Sequence, residues 1–301
     1  MVQFPMEYRT LGSTGLRTSV IGLGTWQFGG EWGYDFSVSE VDAIMGAALE
    51  EGINLIDTAE CYGDHLSEQL IGHRLANERD KWIVATKFGH SYHGFQDRTR
   101  HWTGDEMRTQ LEDSLRALQT DYVDILQFHS PSDEEFVNEE LRTALAEIRR
   151  EGKVRHIGLS VAANDNLFQV ERSPAAGCEV LQIVYNRLDR VPEHLVLPTA
   201  ASLNLGVLAR VPLASGFLSG KYVASSTFSA NDWRSGMSTD KRTAMLSEIE
   251  KIRENELPRD TSMAEWALAW PLRHAAVTAV IPGCKSVEQV RANARTSAFV
   301  G

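Results

Sequence analysis

The chain has 301 residues, of which 43% are hydrophobic and 24% are charged, a balance typical of folded globular proteins. It carries 30 Lys and Arg against 41 Asp and Glu, so its formal net charge is −11. Because duplex nucleic acid is bound through a basic face, an acidic chain without a basic run indicates no nucleic-acid partner.

The sequence shows no sign of an oxidising or membrane setting. Its three cysteines, Cys61, Cys178 and Cys284, are too few and too scattered for a disulfide framework or a structural zinc site. Residues 1–11 lack the apolar segment of a secretory signal, and no apolar run approaches the about 20 residues that span a bilayer. We therefore expect a cytoplasmic protein that does not enter a membrane.

Short apolar runs rich in β-branched residues recur along the chain and predict parallel strands buried on both faces. The eight runs are Val20–Trp26, Asn54–Ala59, Trp82–Phe88, Tyr122–His129, Val154–Val161, Val180–Asn186, Gly206–Leu213 and Val277–Pro282. Apolar residues between the runs recur with helical spacing, which predicts a helix after each strand.

Local signals predict where these helices begin and end. Capping-box or near-capping-box spacing, which lets a side chain satisfy free N–H groups of the first turn, begins at Ser39, Thr103, Ser262 and Ser286. Left-handed glycines that stop a helix are expected at Gly52, Gly152 and Gly206.

Eight strand–helix repeats without a linker predict a (β/α)8 barrel that forms a single domain over residues 1–301. An open, doubly wound sheet has the same alternation, but eight strands exceed one such unit, and Gly22–Gln27 lacks the third glycine of a dinucleotide-binding loop. A hairpin is expected at Leu11–Ser19, before the barrel. A long insertion, Ala214–Asp260, is expected between strands seven and eight, at the barrel face where chemistry occurs.

Polar side chains end three otherwise apolar strands. Asp57, Lys87 and His129 close the second, third and fourth runs, and Tyr62 follows Asp57 closely. Taken singly, each has an ordinary structural role, such as a turn residue or a strand-end lysine. The carboxyl ends of parallel strands lie at the same end of a barrel, so these side chains would lie close together there. The carboxylate of Asp57 would then neutralise the charge of Lys87, and Lys87 would lower the pKa of Tyr62.

Such a cluster suits proton delivery to a carbonyl. A tuned phenol acts as a general acid, and an imidazole orients the carbonyl oxygen. The carbonyl carbon needs an incoming hydride, which implies a cofactor. No metal-ligand spacing and no nucleophile elbow occurs in the sequence, so we predict neither a metal nor serine chemistry.

At this point the chain resembles the aldo-keto reductase family over nearly its whole length, and in particular its bacterial, short-tailed branches. The motifs that carry the resemblance are Leu23-Gly24-Thr25-Trp26, Asp57-Thr58-Ala59 with Tyr62-Gly63, Thr86-Lys87, Phe128-His129, Gly158-Leu159-Ser160, Gln182 with Tyr185-Asn186, Pro212–Gly216 with Gly220–Tyr222, and Ile281–Ser286 with Gln289 and Asn293.

The resemblance implies a barrel that binds NADPH or NADP⁺ across its mouth, with Asp57, Tyr62, Lys87 and His129 as a catalytic tetrad. It implies that His129 positions the substrate carbonyl. The cofactor contacts that it implies are Thr25, Trp26, Ser160, Gln182, Arg210, Leu213, Ser215, Gly216, Gly283, Lys285, Gln289 and Asn293. Ser160 and Gln182 would hold the carboxamide, and Lys285 would favour a 2′-phosphate.

The sequence departs from the family pattern at two positions. Val161 stands where the family commonly has Asn, which removes one carboxamide contact. Arg210 stands near the usual place of an aromatic residue under the nicotinamide, and its charge would favour the reduced cofactor. Because the tail after Asn293 is short, we expect an open substrate pocket shaped by Trp26, Phe28, Trp32, Phe88 and Trp233.

These observations predict an NADPH-dependent reductase of aldehydes or ketones, including a sugar or ring carbonyl, with Tyr62 as the acid. Two alternatives stay open: an NADPH-binding regulatory sensor with slow turnover, and the physiological oxidation of a sugar or vitamin alcohol. No heptad or exposed apolar stripe stands out, so the sequence does not determine the oligomeric state. The partner that we expect is a small carbonyl substrate.

Overall fold

Twelve strands and ten α-helices form the chain in a computed structural model that describes residues 5–299, so the ends of the predicted domain 1–301 lie outside the described residues. The strands are β1 (Tyr8–Thr10), β2 (Arg17–Ser19), β3 (Leu23–Gly24), β4 (Leu55–Asp57), β5 (Ile83–Phe88), β6 (His90–Gly94), β7 (Asp97–Arg100), β8 (Val123–His129), β9 (Val154–Ser160), β10 (Cys178–Val184), β11 (Gly206–Arg210) and β12 (Val277–Val280).

The helices are α1 (Val38–Glu50), α2 (Leu66–Glu78), α3 (Gly104–Leu118), α4 (Asp133–Phe136), α5 (Glu139–Arg150), α6 (Leu167–Arg172), α7 (Val196–Ser202), α8 (Thr239–Asn255), α9 (Met263–Leu272) and α10 (Val287–Arg295). No helix within residues 5–299 combines the length and the hydropathy needed to cross a bilayer.

The central sheet closes into a ring. Its parallel strands lie in the order β3-β4-β5-β8-β9-β10-β11-β12. The first strand region then meets the last, because Ile21 pairs with Val280 and Gly24 pairs with Gly283, both parallel. An open sheet has two free edges, so this closure confirms the predicted (β/α)8 barrel and excludes the doubly wound alternative.

One cluster of apolar side chains from several barrel strands is buried, as the continuous apolarity of the runs predicts. Leu55, Ala85, Ile125, Val180 and Leu208 pack together inside and are fully buried. The predicted N-terminal hairpin is present, although its strands β1 and β2 pair Tyr8–Thr10 with Arg17–Ser19 and so begin before Leu11. Leu11 itself packs into the interior cluster.

Helix ends follow local chemistry with three corrections. Helix α1 is capped by Ser37 with Glu40 rather than by the predicted Ser39. Ser262 precedes α9 but makes no capping hydrogen bond, whereas Thr103 and Ser286 cap as predicted. Gly206 begins β11 instead of ending a helix, since Asn204 takes the left-handed conformation with φ +51°.

Two segments extend the mouth of the barrel, the end at which the parallel strands finish. The predicted insertion follows β11 and contains α8; its Phe217 and Ile252 pack with Trp266 of α9 in a cluster of their own. The antiparallel hairpin β6–β7, between β5 and α3, was not predicted. It brings His90 and Arg98 to the same face as the strand-end residues.

Candidate active site

The core of the site is a buried ion pair between neighbouring strands. Asp57 ends β4 and Lys87 lies near the end of β5; their side chains are 5% and 1% exposed. Lys87 Nζ donates to Asp57 Oδ2 at 2.9 Å, to the Thr58 carbonyl at 2.6 Å and to the Tyr62 hydroxyl at 3.3 Å. All three ammonium hydrogens therefore have partners, which is what a buried charge needs.

The charges keep Lys87 protonated. Burial alone would lower the pKa of the Lys87 ammonium, but Asp57 and then Tyr62 outweigh it and raise that pKa above its ordinary value. An ammonium group is thus held beside a phenol at the barrel mouth.

Tyr62 itself behaves differently from the expectation. Burial is the largest influence and raises the pKa of Tyr62 to about 12, against the lowering effect of Lys87 and with a further rise from Asp57. The predicted lowering by Lys87 is present, but burial outweighs it, so the net pKa of Tyr62 lies above its ordinary value. The sequence showed the cation but not the cost of burying a phenolate. Tyr62 is accordingly a protonated donor at neutral pH.

Two buried amides support Asp57 from below. Its second oxygen, Oδ1, accepts from Gln182 Nε2 at 2.6 Å and from Gln127 Nε2 at 3.1 Å. Ser160 Oγ donates to Gln182 Oε1 at 3.4 Å. Gln182 and Ser160, which the resemblance assigns to the carboxamide, are each 1% exposed and are turned to Asp57 and to each other. Gln127 was missed, although a lone amide in an apolar strand two residues before His129 was a signal.

Thr25, another expected cofactor contact, also makes hydrogen bonds inside the protein. Its hydroxyl donates to the Asp57 carbonyl at 2.9 Å, and Ser67 Oγ donates to Thr25 Oγ1 at 3.0 Å. Thr25 is 1% exposed. These bonds fix the end of β4, and with it the position of the Asp57 carboxylate.

His129 ends β8 and is backed by a carboxylate that the sequence analysis did not single out. Glu60 Oε1 lies 3.3 Å from His129 Nδ1 and accepts from the His90 backbone N–H at 3.0 Å. The ring of His129 stands edge-on to that of Tyr62, with centroids 6.0 Å apart. Glu60 lies between Asp57 and Tyr62 in the chain, and its place behind His129 depends on the barrel closing around both.

Three atoms that could act as metal ligands lie close together in the structure, although their residues are far apart in the sequence. Single atoms of Cys61, His90 and His129 lie within 4.8 Å of one another. Burial raises the pKa of the Cys61 thiol and so keeps it protonated, and one ring nitrogen of His129 already faces Glu60. We assign this group no metal.

Arg210, at the end of β11, reaches past the neighbouring strand β10 to the end of β9. Its Nη2 donates to the Val161 carbonyl at 3.1 Å, so the two departures from the family pattern are in contact. Its Nε is buried and has no partner within residues 5–299, and no carboxylate of that range forms an ion pair with it. Arg210 therefore offers an unused donor at the mouth.

The segment after Arg210 is strained. The φ angles of Val211, Ala214, Ser215 and Gly216 are +56°, +46°, +60° and +90°. Only glycine adopts this region without cost, and such strain clusters at binding sites. The half-buried Leu213, Ser215 and Gly216 thus form a tight turn beside the mouth.

The start of α10 also lies at the mouth, since Gly283 just before it pairs with Gly24. Ser286 Oγ accepts from the Gln289 N–H at 3.3 Å, and Gln289 Oε1 accepts from the Lys285 N–H at 2.8 Å. Lys285 Nζ donates to the Trp32 carbonyl at 2.8 Å. Of the last two expected contacts, Asn293 Nδ2 donates to Cys284 Sγ at 3.2 Å. Gly283 lies so close to Gln27 that an added Cβ would be 1.8 Å from Gln27 Nε2.

Three of the five predicted pocket aromatics form one cluster at the mouth. Trp26 stacks on Tyr62 and on Trp233, with ring centroids 6.1 and 5.8 Å apart, and Trp32 meets both tryptophans edge-on. Phe28 and Phe88 are instead fully buried in the hydrophobic core. Their prediction as pocket residues is corrected, because proximity to the motifs in sequence did not show on which side of the strand end each ring lies.

A buried glutamate ties this cluster to the β6–β7 hairpin. Glu31 is 1% exposed and accepts from Trp26 Nε1 at 2.8 Å and from the Arg98 guanidinium. The hairpin is thereby fastened over the first loop, next to Tyr62.

Comparisons with known proteins identify the family of the chain. The model of the aldo/keto reductase family matches residues 20–300. The chain is 37% identical over 233 residues to aldo-keto reductase YhdN of Bacillus subtilis, which covers 76% of this chain and 69% of that protein.

Two solved structures are also similar in fold. The aldo-keto reductase AKR11C1 of Bacillus halodurans, in its holo form, has a TM-score of 0.81 at 29% identity and covers 97% of this chain and 90% of its own. The glycerol dehydrogenase AKR11B4 of Gluconobacter oxydans has a TM-score of 0.82 at 28% identity and covers 99% and 91%. The chain therefore belongs to the aldo/keto reductase family, whose members are oxidoreductases.

Proposed function

We propose that the protein reduces an aldehyde or ketone to the alcohol with NADPH, and that Tyr62 is the general acid. The observation that carries the proposal is that Lys87 Nζ contacts both the Tyr62 hydroxyl, at 3.3 Å, and Asp57 Oδ2, at 2.9 Å. A phenol held by an ammonium group is a proton donor for an oxygen on which negative charge develops.

The raised pKa of Tyr62, about 12, is compatible with this role. An aliphatic alkoxide is a stronger base than a phenolate, so the transfer of the Tyr62 proton to the nascent alkoxide is downhill. Lys87 then faces the phenolate and stabilises it by charge, while Asp57 and its amides hold Lys87 in place.

The residues around the mouth fit a nicotinamide cofactor, which supplies the hydride when bound. The buried, unpartnered Nε of Arg210 needs an acceptor, and the strained turn at Leu213, Ser215 and Gly216 would follow the pyrophosphate. The N-terminus of α10, with Lys285 before it, favours a phosphate group, and a 2′-phosphate there is what would distinguish NADPH from NADH.

The aromatic cluster bears on the substrate class. Trp26 and Trp233 are half-buried beside Tyr62, so a sugar or ring carbonyl would find flat apolar surfaces there. The glycerol dehydrogenase to which the chain is similar is named for a polyol. We place the activity in the cytoplasm, where buried free thiols such as those of Cys61, Cys178 and Cys284 persist.

The variant Tyr62→Phe tests the proposal. It removes only the acidic hydroxyl, so we expect NADPH binding to persist and turnover to fall by about 10²-fold or more. Tyr8→Phe is the matched control, because the Tyr8 hydroxyl donates to the Gly52 carbonyl away from the mouth. A Tyr62→Phe enzyme with the wild-type rate would refute the assignment.

A panel of aldehydes, ketones and keto-sugars, followed by NADPH absorbance, distinguishes the reductase from a cofactor sensor. We expect consumption of NADPH with several of them. A tight NADPH complex that turns over none of these carbonyls would contradict the reductase and favour a sensor.

A further inference from the structure

The three residues that follow Tyr62 form a turn that is costly for the backbone. Gly63, Asp64 and His65 all lie in the left-handed region, with φ angles of +69°, +52° and +64°. L-residues visit this region singly rather than in runs, and a run persists only where its surroundings hold it. Position 63 requires glycine, because a Cβ there would lie 2.5 Å from the Gly29 carbonyl oxygen. The rest of the turn depends on contacts outside its own backbone.

The imidazole of His65 supplies such a contact, to a carboxylate that is fully buried. His65 Nδ1 lies 2.5 Å from Glu68 Oε2, and the side chain of Glu68 is 0% exposed. The other oxygen of this carboxylate, Oε1, accepts from Thr86 Oγ1. Thr86 directly precedes Lys87 in β5. One carboxylate thus joins the turn after Tyr62 to the strand that carries Lys87.

The backbone carries this link to Tyr62. The His65 N–H donates to the Glu60 carbonyl at 2.8 Å, and the Ser67 N–H donates to the Tyr62 carbonyl at 3.1 Å. His65 stands directly before α2 but does not cap it, and its bond to Glu68 is its only side-chain hydrogen bond within residues 5–299. A shift of the turn at His65 is therefore passed to the backbone of Tyr62.

We propose that His65 is a positioning residue for Tyr62: through Glu68 it holds the turn in the conformation that places the Tyr62 hydroxyl against Lys87. The inference deepens the proposed reductase function and rests on it. His65 takes no part in the proton transfer. The geometry requires only that the hydrogen bond between the ring and the carboxylate be present, whichever of the two groups carries the proton.

Two substitutions at position 65 separate the side chain from the backbone. His65→Gly removes the imidazole and relieves the positive φ, so we expect it to fold. His65→Asn keeps a nitrogen three bonds from the Cα, as Nδ1 is, and asparagine tolerates the left-handed region. Because an amide both donates and accepts, it can replace the imidazole opposite Glu68. The matched control is His156→Ala, which breaks the 3.1 Å contact of His156 Nδ1 with Glu179 Oε2 in the first half of β9.

Steady-state reduction of the carbonyl panel with NADPH is the first test. We expect kcat of His65→Gly to fall about tenfold, because a small misplacement of a reacting group lowers the rate steeply. KM for the carbonyl and Kd for NADPH should change by less than about twofold. His65→Asn should recover kcat to within about threefold of the wild type, and His156→Ala should keep it. A wild-type kcat in His65→Gly, or a loss that His65→Asn does not restore, overturns the inference.

Hydrogen exchange reports on the turn without turnover. The Ser67 amide, which donates to the Tyr62 carbonyl, is the probe. We expect it to exchange about tenfold faster in His65→Gly than in the wild type, and at the wild-type rate in His65→Asn. Equal exchange in His65→Gly and the wild type would contradict the inference.

The outcomes separate the two proposals. An enzyme that reduces the panel, loses activity in Tyr62→Phe and keeps it in His65→Gly retains the reductase function and loses the inference about His65. A protein that reduces none of the panel loses the reductase function, whereas hydrogen exchange still decides whether His65 holds the turn. Should His65→Gly not fold, Thr86→Val breaks the other bond of Glu68 with the same side-chain shape. We expect the same fall in kcat there, and a wild-type kcat would overturn the inference.

Discussion

At the scale of single residues, the site depends on how burial and charge compete at Tyr62. Burial raises the pKa of this phenol to about 12, and Lys87 only reduces the rise. The ammonium group therefore acts less by making the phenol acidic in the resting protein than by stabilising the phenolate once the proton has left. At neutral pH Tyr62 is therefore almost entirely in its protonated, acidic form, and its phenolate, the basic form, is rare.

This asymmetry predicts different pH profiles for the two directions of reaction. Reduction needs protonated Tyr62, which is fully populated below a pKa of about 12, so its rate should be flat in pH as far as Tyr62 is concerned. Alcohol oxidation needs the phenolate, whose fraction rises about tenfold per pH unit below that pKa. The measurement is kcat/KM for ketone reduction with NADPH and for alcohol oxidation with NADP⁺, between about pH 7 and about pH 9.

An oxidation rate that is flat over this range would contradict a raised pKa at Tyr62. Lys87 does not disturb the profile, since its own pKa is raised and it stays charged throughout.

At the scale of elements, helices α2 and α3 approach each other closely at a glycine. A Cβ on Gly72 of α2 would lie 2.2 Å from the Ala117 carbonyl oxygen and 2.9 Å from the Leu118 Cα. These are backbone atoms of α3, which cannot move aside without shifting the whole helix.

We therefore expect Gly72→Ala to lower the free energy of unfolding by about 2 kcal/mol, as overpacking does. Gly46→Ala in α1 is the control, because its new Cβ would meet only the flexible end of Arg74, at 3.3 Å. That variant should gain up to about 1 kcal/mol from helix propensity. Denaturant unfolding of both variants measures the difference, and a Gly72→Ala protein as stable as the wild type would refute the close contact.

At the scale of the whole molecule, contacts at the mouth join parts of the chain that are remote in sequence. Lys285 of the last repeat bonds to Trp32 of the first loop, and Arg210 reaches Val161. A ligand that binds at the mouth is bound by the closed barrel and not by the unfolded chain, so its binding adds to the free energy of unfolding.

The charge of Arg210 then predicts that the two redox forms of the cofactor stabilise the protein unequally. The oxidised nicotinamide ring is positive and the guanidinium opposes it, so NADPH should bind about tenfold more tightly than NADP⁺, equivalent to ~1.4 kcal/mol of added stability at equal concentrations. Thermal unfolding with each form measures the gap. The difference between the stabilisation by NADPH and by NADP⁺ should vanish in Arg210→Tyr. It should persist in Arg210→Lys, which keeps the positive charge. A difference that remains in Arg210→Tyr would contradict this role of Arg210.

The sequence by itself determined the barrel, the alternation of strand and helix, and the residues at the strand ends, because buried parallel strands require continuous apolar runs and any polar residue that ends one stands out. It did not show that Phe28 and Phe88 point into the core, that Gln182 and Thr25 serve Asp57, or that Ser37 caps α1. Each depends on which side of an element a residue faces once its neighbours are in place.

Only the tertiary structure decided the electrostatics of the site. The sign of the pKa shift at Tyr62 follows from the loss of solvent around the phenol, and the 3.3 Å contact between Glu60 Oε1 and His129 Nδ1 exists only because folding brings the two together. Burial and charge–charge distance are properties of three-dimensional packing. A linear pattern can name the groups that interact, but the balance between desolvation and attraction is set only when the ring of strands closes.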